Sequence, residues 1–248
     1  MSTSSAALDS LSYEPLTPTA YLDRAAAAHG DRVGVIDSDR RWTYTQLHER
    51  CTLLAGGLAP LAEGRPVAVL APNTHVLLEA NFGVPWAGVP LVAMNTRLSA
   101  GEVAHLLEHS KASVLIHDPS FDELVDVVFE QLDSPPHQIR AGKQYEQLLT
   151  EAQPLHRVPT DERSLLSINY TSGTTGRPKG VMYHHRGAYL QALAMVGHTG
   201  ADTLVGAPMD IADVPLQRLV LPVGRHRRRR DPRLPAEGRP GAGVAADP

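Results

Sequence analysis

Apolar positions along this chain fall into two patterns: short unbroken runs, and stretches where they recur every three or four residues. Val33–Ile36 is a short β-branched run. Pro66–Ala71 (PVAVLA) and Leu91–Met94 are apolar without alternation, as expected of strands covered on both faces. Val114–Ile116 and Leu165–Tyr170 (LLSINY) extend the series. Between these runs, Leu47, Cys51, Leu54 and Leu58 repeat at helical spacing, and Val103, Leu106 and Leu107 share one helical face. Thr43–Gln46 and Ser99–Glu102 have the spacing of a capping box, in which side chain and backbone at a helix start satisfy each other's free N–H groups. Gly56 and Gly57 blur the end of the first helix. Pro72-Asn73 is a turn signal, and His75–Ala87 is a helical pattern that Pro85 is expected to break. Phe121–Leu132 predicts a further helix. Residues 134–157 are mixed and polar, which predicts surface loops around a short helix at Tyr145–Leu149. Strand and helix patterns thus alternate, and that order predicts an α/β fold with helices layered on a largely parallel sheet.

Composition narrows the picture only a little. A chain of 248 residues allows one or two domains. An apolar share of 42% and a charged share of 20% fit a globular protein, and a formal charge of −4 selects no partner. A single cysteine, Cys51, excludes an internal disulfide framework and sits on an apolar helical stripe, where core packing is the expected role. No basic region followed by an apolar core opens the chain, and no run approaches the ~20 apolar residues of a membrane helix. A cytoplasmic protein is the expectation. Residues 1–12 are small and polar and are expected to be disordered.

The candidate chemistry follows the strand candidate Leu165–Tyr170. It runs directly into Thr171-Ser172-Gly173-Thr174-Thr175-Gly176-Arg177-Pro178-Lys179-Gly180. Gly173, Gly176 and Gly180 permit backbone conformations closed to other residues. Successive N–H groups can then line one concavity and hold phosphate oxygens. Thr171, Ser172, Thr174 and Thr175 add hydroxyls, and Lys179 adds a mobile positive charge. A flexible solvated turn is the plainer reading, but a basic residue, four hydroxyls and three glycines immediately after a strand favour phosphate binding. The order of residues is not that of a Walker A loop, because Lys179 lies between Pro178 and Gly180 rather than in Gly-Lys-Ser/Thr.

Tyr170–Gly180 (YTSGTTGRPKG) resembles the signature loop of the adenylate-forming superfamily, which comprises acyl-CoA synthetases, luciferases and peptide-synthetase adenylation domains. The segment from Val181 to Gly187 looks like the start of the helix that follows this loop in fatty acyl-CoA synthetases. Arg41–Tyr44, Asn95–Ser99 and Glu102–Leu107 are also similar, so the resemblance covers about Tyr13 to Thr199. It implies an ATP-dependent fatty acid–CoA ligase: ATP and a carboxylate give an acyl-adenylate and pyrophosphate, and coenzyme A then attacks the acyl carbon. On this resemblance Thr171, Ser172, Gly173, Thr174, Thr175, Gly176 and Lys179 bind the nucleotide phosphates. Thr171 places the hydroxyl nearest Mg²⁺, and Lys179 pairs with phosphate. The partners implied are small molecules (ATP, a fatty acid and CoA), with no specific nucleic acid and no membrane span.

The chain departs from the family beyond this loop. The expected aromatic-His segment, the acidic Mg²⁺ residue, the ribose Asp and the C-terminal lysine lid are not recognisable, so no catalytic residue is identified; no lysine follows Lys179. Read one base later, however, the codons from Met209 permit a familiar segment. Met209-Asp210 then gives Trp, Val214-Pro215 permits Phe, Pro215-Leu216 permits His, and Gln217-Arg218 permits Asn. The shifted reading resembles that missing aromatic-His segment. The expected organisation is a disordered start (1–12), a partial AMP-binding domain (13–205) and a frameshifted, disordered tail (206–248) without ligase activity of its own. Two alternatives remain open: an inactive residual nucleotide-binding module, and a basic-tailed protein that binds polyanions through Arg225–Arg230.

Other polar residues offer less. Among twelve histidines no i, i+4 pair with a nearby carboxylate stands out, so structural or solvent roles are expected. Asp37, Asp39 and Glu63 read as isolated loop carboxylates.

Overall fold

The computed structural model describes residues 13–171, 178–199 and 209–210. The expected disordered start, the loop residues 172–177 and the tail, apart from residues 209–210, lie outside the described residues. In chain order the elements are α1 (Ala20–His29), β1 (Val33–Asp37), β2 (Arg40–Thr43), α2 (Tyr44–Ala62), β3 (Val67–Leu70), α3 (His75–Trp86), β4 (Leu91–Ala93), α4 (Ala100–Ser110) and β5 (Val114–His117). A 3₁₀ turn (Pro119–Phe121) leads into α5 (Asp122–Glu130), followed by β6 (His137–Arg140), α6 (Lys143–Glu151), β7 (Leu165–Thr171), β8 (Lys179–His184), α7 (His185–Thr199) and β9 (Met209–Asp210).

The main sheet has the order β6-β5-β3-β4-β7-β8. Every pairing in it is parallel except β7 with β8. A smaller sheet, β2-β1-β9, combines the β1–β2 hairpin with a short parallel pairing to β9. The unbroken apolar run of β3 has a direct cause, because successive side chains of a strand point to opposite faces. Val67 and Val69 enter one core with Leu54, Leu58 and Leu78 from α2 and α3. Ala68 and Leu70 enter the other with Val103, Leu106 and Val125 from α4 and α5. Helices therefore cover both faces of the parallel sheet, as the alternating pattern predicts.

Both capping boxes form. Thr43 Oγ1 accepts from the Gln46 N–H, and Gln46 Oε1 accepts from the Thr43 N–H. Ser99 and Glu102 do the same at the start of α4, which holds the Glu102 carboxyl below its ordinary range. The structure also corrects several sequence expectations. Helix α2 runs straight through Gly56 and Gly57 to Ala62. Gly56 serves close packing instead: a Cβ there would lie 1.8 Å from the Gln153 carbonyl oxygen. Pro85 does not break α3 but sits in its last turn, where little helix remains to disrupt. Residues 134–157 are not loops around one short helix. They hold β6, paired in register with β5, and the longer helix α6. The resemblance implied a helix start over Val181–Gly187, but residues 181–184 belong to strand β8 and α7 begins only at His185. Asp37 ends β1 rather than lying in a loop, and it binds His75 through both the backbone N–H (3.0 Å) and Nδ1 (2.6 Å).

A charged network sits inside the first core. Glu79 of α3 is fully buried. It accepts from Arg50 Nε (2.6 Å) and Nη2 (3.2 Å) and from the Tyr145 hydroxyl (2.7 Å). Arg50 also forks onto Glu146 with two contacts of 2.9 Å. The network joins α2, α3 and α6 in one arrangement.

Candidate functional site

Strand β7 delivers the glycine- and hydroxyl-rich segment to the carboxyl end of the parallel sheet. That is the edge where open α/β sheets bind ligands. The β7–β8 ladder runs antiparallel from Leu165↔His184 to Thr171↔Lys179. Thr171 is the last residue of β7 and Lys179 the first of β8. The register thus brings two expected site residues, eight apart in sequence, face to face at the mouth of the loop. Both are exposed. Among the described residues the Lys179 ammonium forms no ion pair. Ser172, Gly173, Thr174, Thr175 and Gly176 lie outside the described residues.

The hairpin is anchored at both ends. Next to the mouth, the Tyr170 hydroxyl meets His109 Nδ1 of α4 at 2.7 Å, with the two rings edge to face. Burial raises the Tyr170 pKa, so this phenol stays neutral. Gly180 pairs with Tyr170 in the ladder, and a Cβ there would approach Ile168 Cγ2 to 2.9 Å. The sequence reading missed the His109 contact. It also passed over His105 and His109, an i, i+4 pair on α4 with ring centroids 5.9 Å apart. A strand-to-helix contact across 61 residues leaves no mark in local spacing.

At the base of the hairpin, the segment before α1 closes over the start of α7. Thr17 Oγ1 lies 2.9 Å from His185 Nδ1, and both residues are buried. The Leu16 N–H donates to Glu162, which also pairs with Arg186. Tyr21 and Tyr189 stack with centroids 4.9 Å apart. Burial, aided by the neighbouring His184, pushes His185 down to about 4.

That shift predicts a pH dependence. Below its ordinary value of about 6.5 an unfolded His185 takes up a proton that the folded one refuses until about pH 4. The unfolded state then binds more protons, so stability rises with pH in this window. Acidification from pH 6.5 to pH 4 is expected to cost about 2–3 kcal/mol through this buried group. Urea unfolding at several pH values checks it, and His185→Asn is expected to flatten that part of the profile.

The profile of the AMP-binding enzyme family matches residues 22–213. This chain belongs to the AMP-binding enzyme family. Among curated members, it is 38% identical over 210 residues to the peroxisomal acetate/butyrate–CoA ligase of Arabidopsis thaliana, covering 73% of this chain and 37% of that protein. Among solved members, the fold matches an anthranilate–CoA ligase bound to anthranoyl-AMP, with a TM-score of 0.67, 22% identity, and 73% of this chain against 36% of that one. It also matches O-succinylbenzoate–CoA synthetase of Bacillus subtilis in complex with ATP and a magnesium ion, with a TM-score of 0.61, 26% identity, and 73% of this chain against 47% of that one. The chain therefore spans a little over a third of the length of the Arabidopsis relative. Among the described residues no helix is long and apolar enough to cross a membrane.

Proposed function

We propose that this chain carries the nucleotide-phosphate cradle of an ATP-dependent, AMP-forming acyl-CoA ligase. The observation that carries the reading is the β7–β8 register. It pairs Thr171 with Lys179 at the carboxyl edge of a parallel sheet, with the glycine-rich segment between them in sequence. A hydroxyl, an exposed ammonium and closely spaced backbone N–H groups suit a magnesium-bound polyphosphate. Thr171 would present its hydroxyl to Mg²⁺. Lys179 would pair with phosphate oxygens, and Ser172–Gly176 would supply hydroxyls and N–H groups around them. Bound ATP supplies pyrophosphate as the leaving group, and this chain's share is electrostatic stabilisation of the charge that develops there.

The acid and coenzyme A belong to the complete enzyme, and their use is inferred from the family. A fatty acid is the substrate class proposed from the sequence, and the acetate/butyrate relative supports the short end of that class. The cytoplasmic expectation rests on the sequence alone, while this relative carries a peroxisomal name. A shifted reading frame past about Thr199 remains the proposed origin of residues 206–248, to be checked by sequencing the gene.

The purified 248-residue chain is expected to bind Mg·ATP by calorimetry. With no lysine after Lys179, it is expected to release no pyrophosphate in the presence of acid and CoA. Absence of Mg·ATP binding by a folded chain overturns the cradle reading. CoA-dependent pyrophosphate release overturns the view that this chain lacks the catalytic groups.

A further inference from the structure

Three polar side chains meet beside the first core, on elements other than β7 and β8. Asp23 lies on α1, His48 on α2, and His156 in the connector between α6 and β7. Their ligand atoms all lie within 4.8 Å of one another. His48 Nε2 is 2.9 Å from Asp23 Oδ1, and His156 Nε2 is 3.1 Å from the same oxygen and 3.3 Å from Oδ2. The imidazoles stack at 6.0 Å with 20° between their planes. Trp86 packs against both rings, 5.0 Å from His48 and 4.4 Å from His156.

The position of His156 is held from both sides. Gly56 lets the connector lie directly on α2, and the Leu155 N–H donates to the Thr52 carbonyl at 2.9 Å. The Arg157 N–H donates to the Trp86 carbonyl at 3.1 Å, and Arg157 Nη1 donates to the Ala87 carbonyl at 2.9 Å. The residues on either side of His156 are thus pinned before any ligand arrives.

We propose that Asp23, His48 and His156 form a binding site for a zinc ion. Two imidazole nitrogens and one carboxylate oxygen are a zinc donor set, and a water completes four-coordination. Bonds of about 2.0–2.1 Å in a tetrahedron separate neighbouring ligand atoms by roughly 3.4 Å. The carboxylate–imidazole spacings are already close to that, so small side-chain rotations suffice. The three side chains are 36%, 31% and 30% exposed, which leaves the fourth position open to water. The buried indole on the opposite side provides an apolar wall. Zinc here would tie α1 and α2 to the connector that leads into β7, across 133 residues of chain. The site and its test do not depend on the nucleotide reading.

The test uses the full 248-residue chain, stripped with EDTA and titrated with ZnCl₂ by calorimetry and thermal melting. One equivalent is expected to bind, with Tm raised by roughly 5 °C at a hundredfold excess over Kd. Asp23→Asn and His156→Gln are each expected to weaken binding at least tenfold without changing the metal-free circular dichroism; if one fails to fold, the other still decides. The chain has two tryptophans, so Trp42→Phe leaves Trp86 as the reporter. In that background one equivalent of CuCl₂, a quenching ion suited to the same imidazoles, is expected to quench the fluorescence, and Asp23→Asn to abolish the quenching. Absence of saturable one-equivalent zinc binding, or unchanged affinity in both ligand variants, overturns the proposal.

Discussion

Glu79→Ala is expected to destabilise the fold by about 3–5 kcal/mol, the usual cost of removing one partner from a buried ion pair. Glu79 is fully buried, and Arg50 is only 18% exposed, so water cannot take over the lost contacts. Burial works against the charge on Arg50, but Glu146 and Glu79 outweigh it and hold the guanidinium above its ordinary pKa. Without Glu79 one side of that guanidinium faces the core unpaired. The fully buried Tyr145 hydroxyl loses its acceptor as well. Glu79→Gln keeps the volume and an acceptor for Tyr145, and is expected to cost less than alanine. Denaturant unfolding of the two variants measures the difference. A loss below about 1 kcal/mol for alanine would show that Arg50 and Tyr145 find other partners.

Lys179→Ala is expected to weaken Mg·ATP binding roughly tenfold to a hundredfold, the range of a charge-assisted contact worth about 1.5–3 kcal/mol. Lys179 is exposed and forms no ion pair among the described residues, so the same substitution is expected to leave Tm nearly unchanged. That separation is the informative result, because it assigns the loss to the ligand rather than to the fold. Lys179→Arg keeps the charge and is expected to retain part of the affinity. The ladder contact that sets Lys179 against Thr171 is made by backbone and survives every side-chain change at 179. Equal affinity in wild type and Lys179→Ala would place the nucleotide elsewhere.

Much of this architecture is written in local pattern. β3, β4 and β5 are legible because a strand covered on both faces must be apolar at successive positions. The two capping boxes are legible because both partners lie within one helical turn. β2 (RRWT), β6 (HQIR) and β8 (KGVMYH) escaped the sequence reading for the converse reason. Each lies at a sheet edge with much of its surface exposed, and each is held there by hydrogen bonds to the neighbouring strand rather than by apolar content.

The candidate sites divide in the same way. Local sequence alone singled out Thr171–Gly180 as the phosphate-loop candidate, since glycines, hydroxyls and a lysine fall together after a strand in one short stretch. Tertiary structure supplied what spacing could not. It put Thr171 opposite Lys179, Tyr170 on His109, Thr17 on His185, and Asp37 on His75. It also gathered Asp23, His48 and His156, three residues that looked unrelated along the chain. The sequence by itself determined the layered α/β class and the two capped helix starts, and it marked the candidate phosphate loop, because each depends on neighbours a few residues apart. Only the tertiary structure decided the edge strands, the buried Arg50–Glu79–Glu146 network and the histidine cluster, because their partners come together through packing of distant segments.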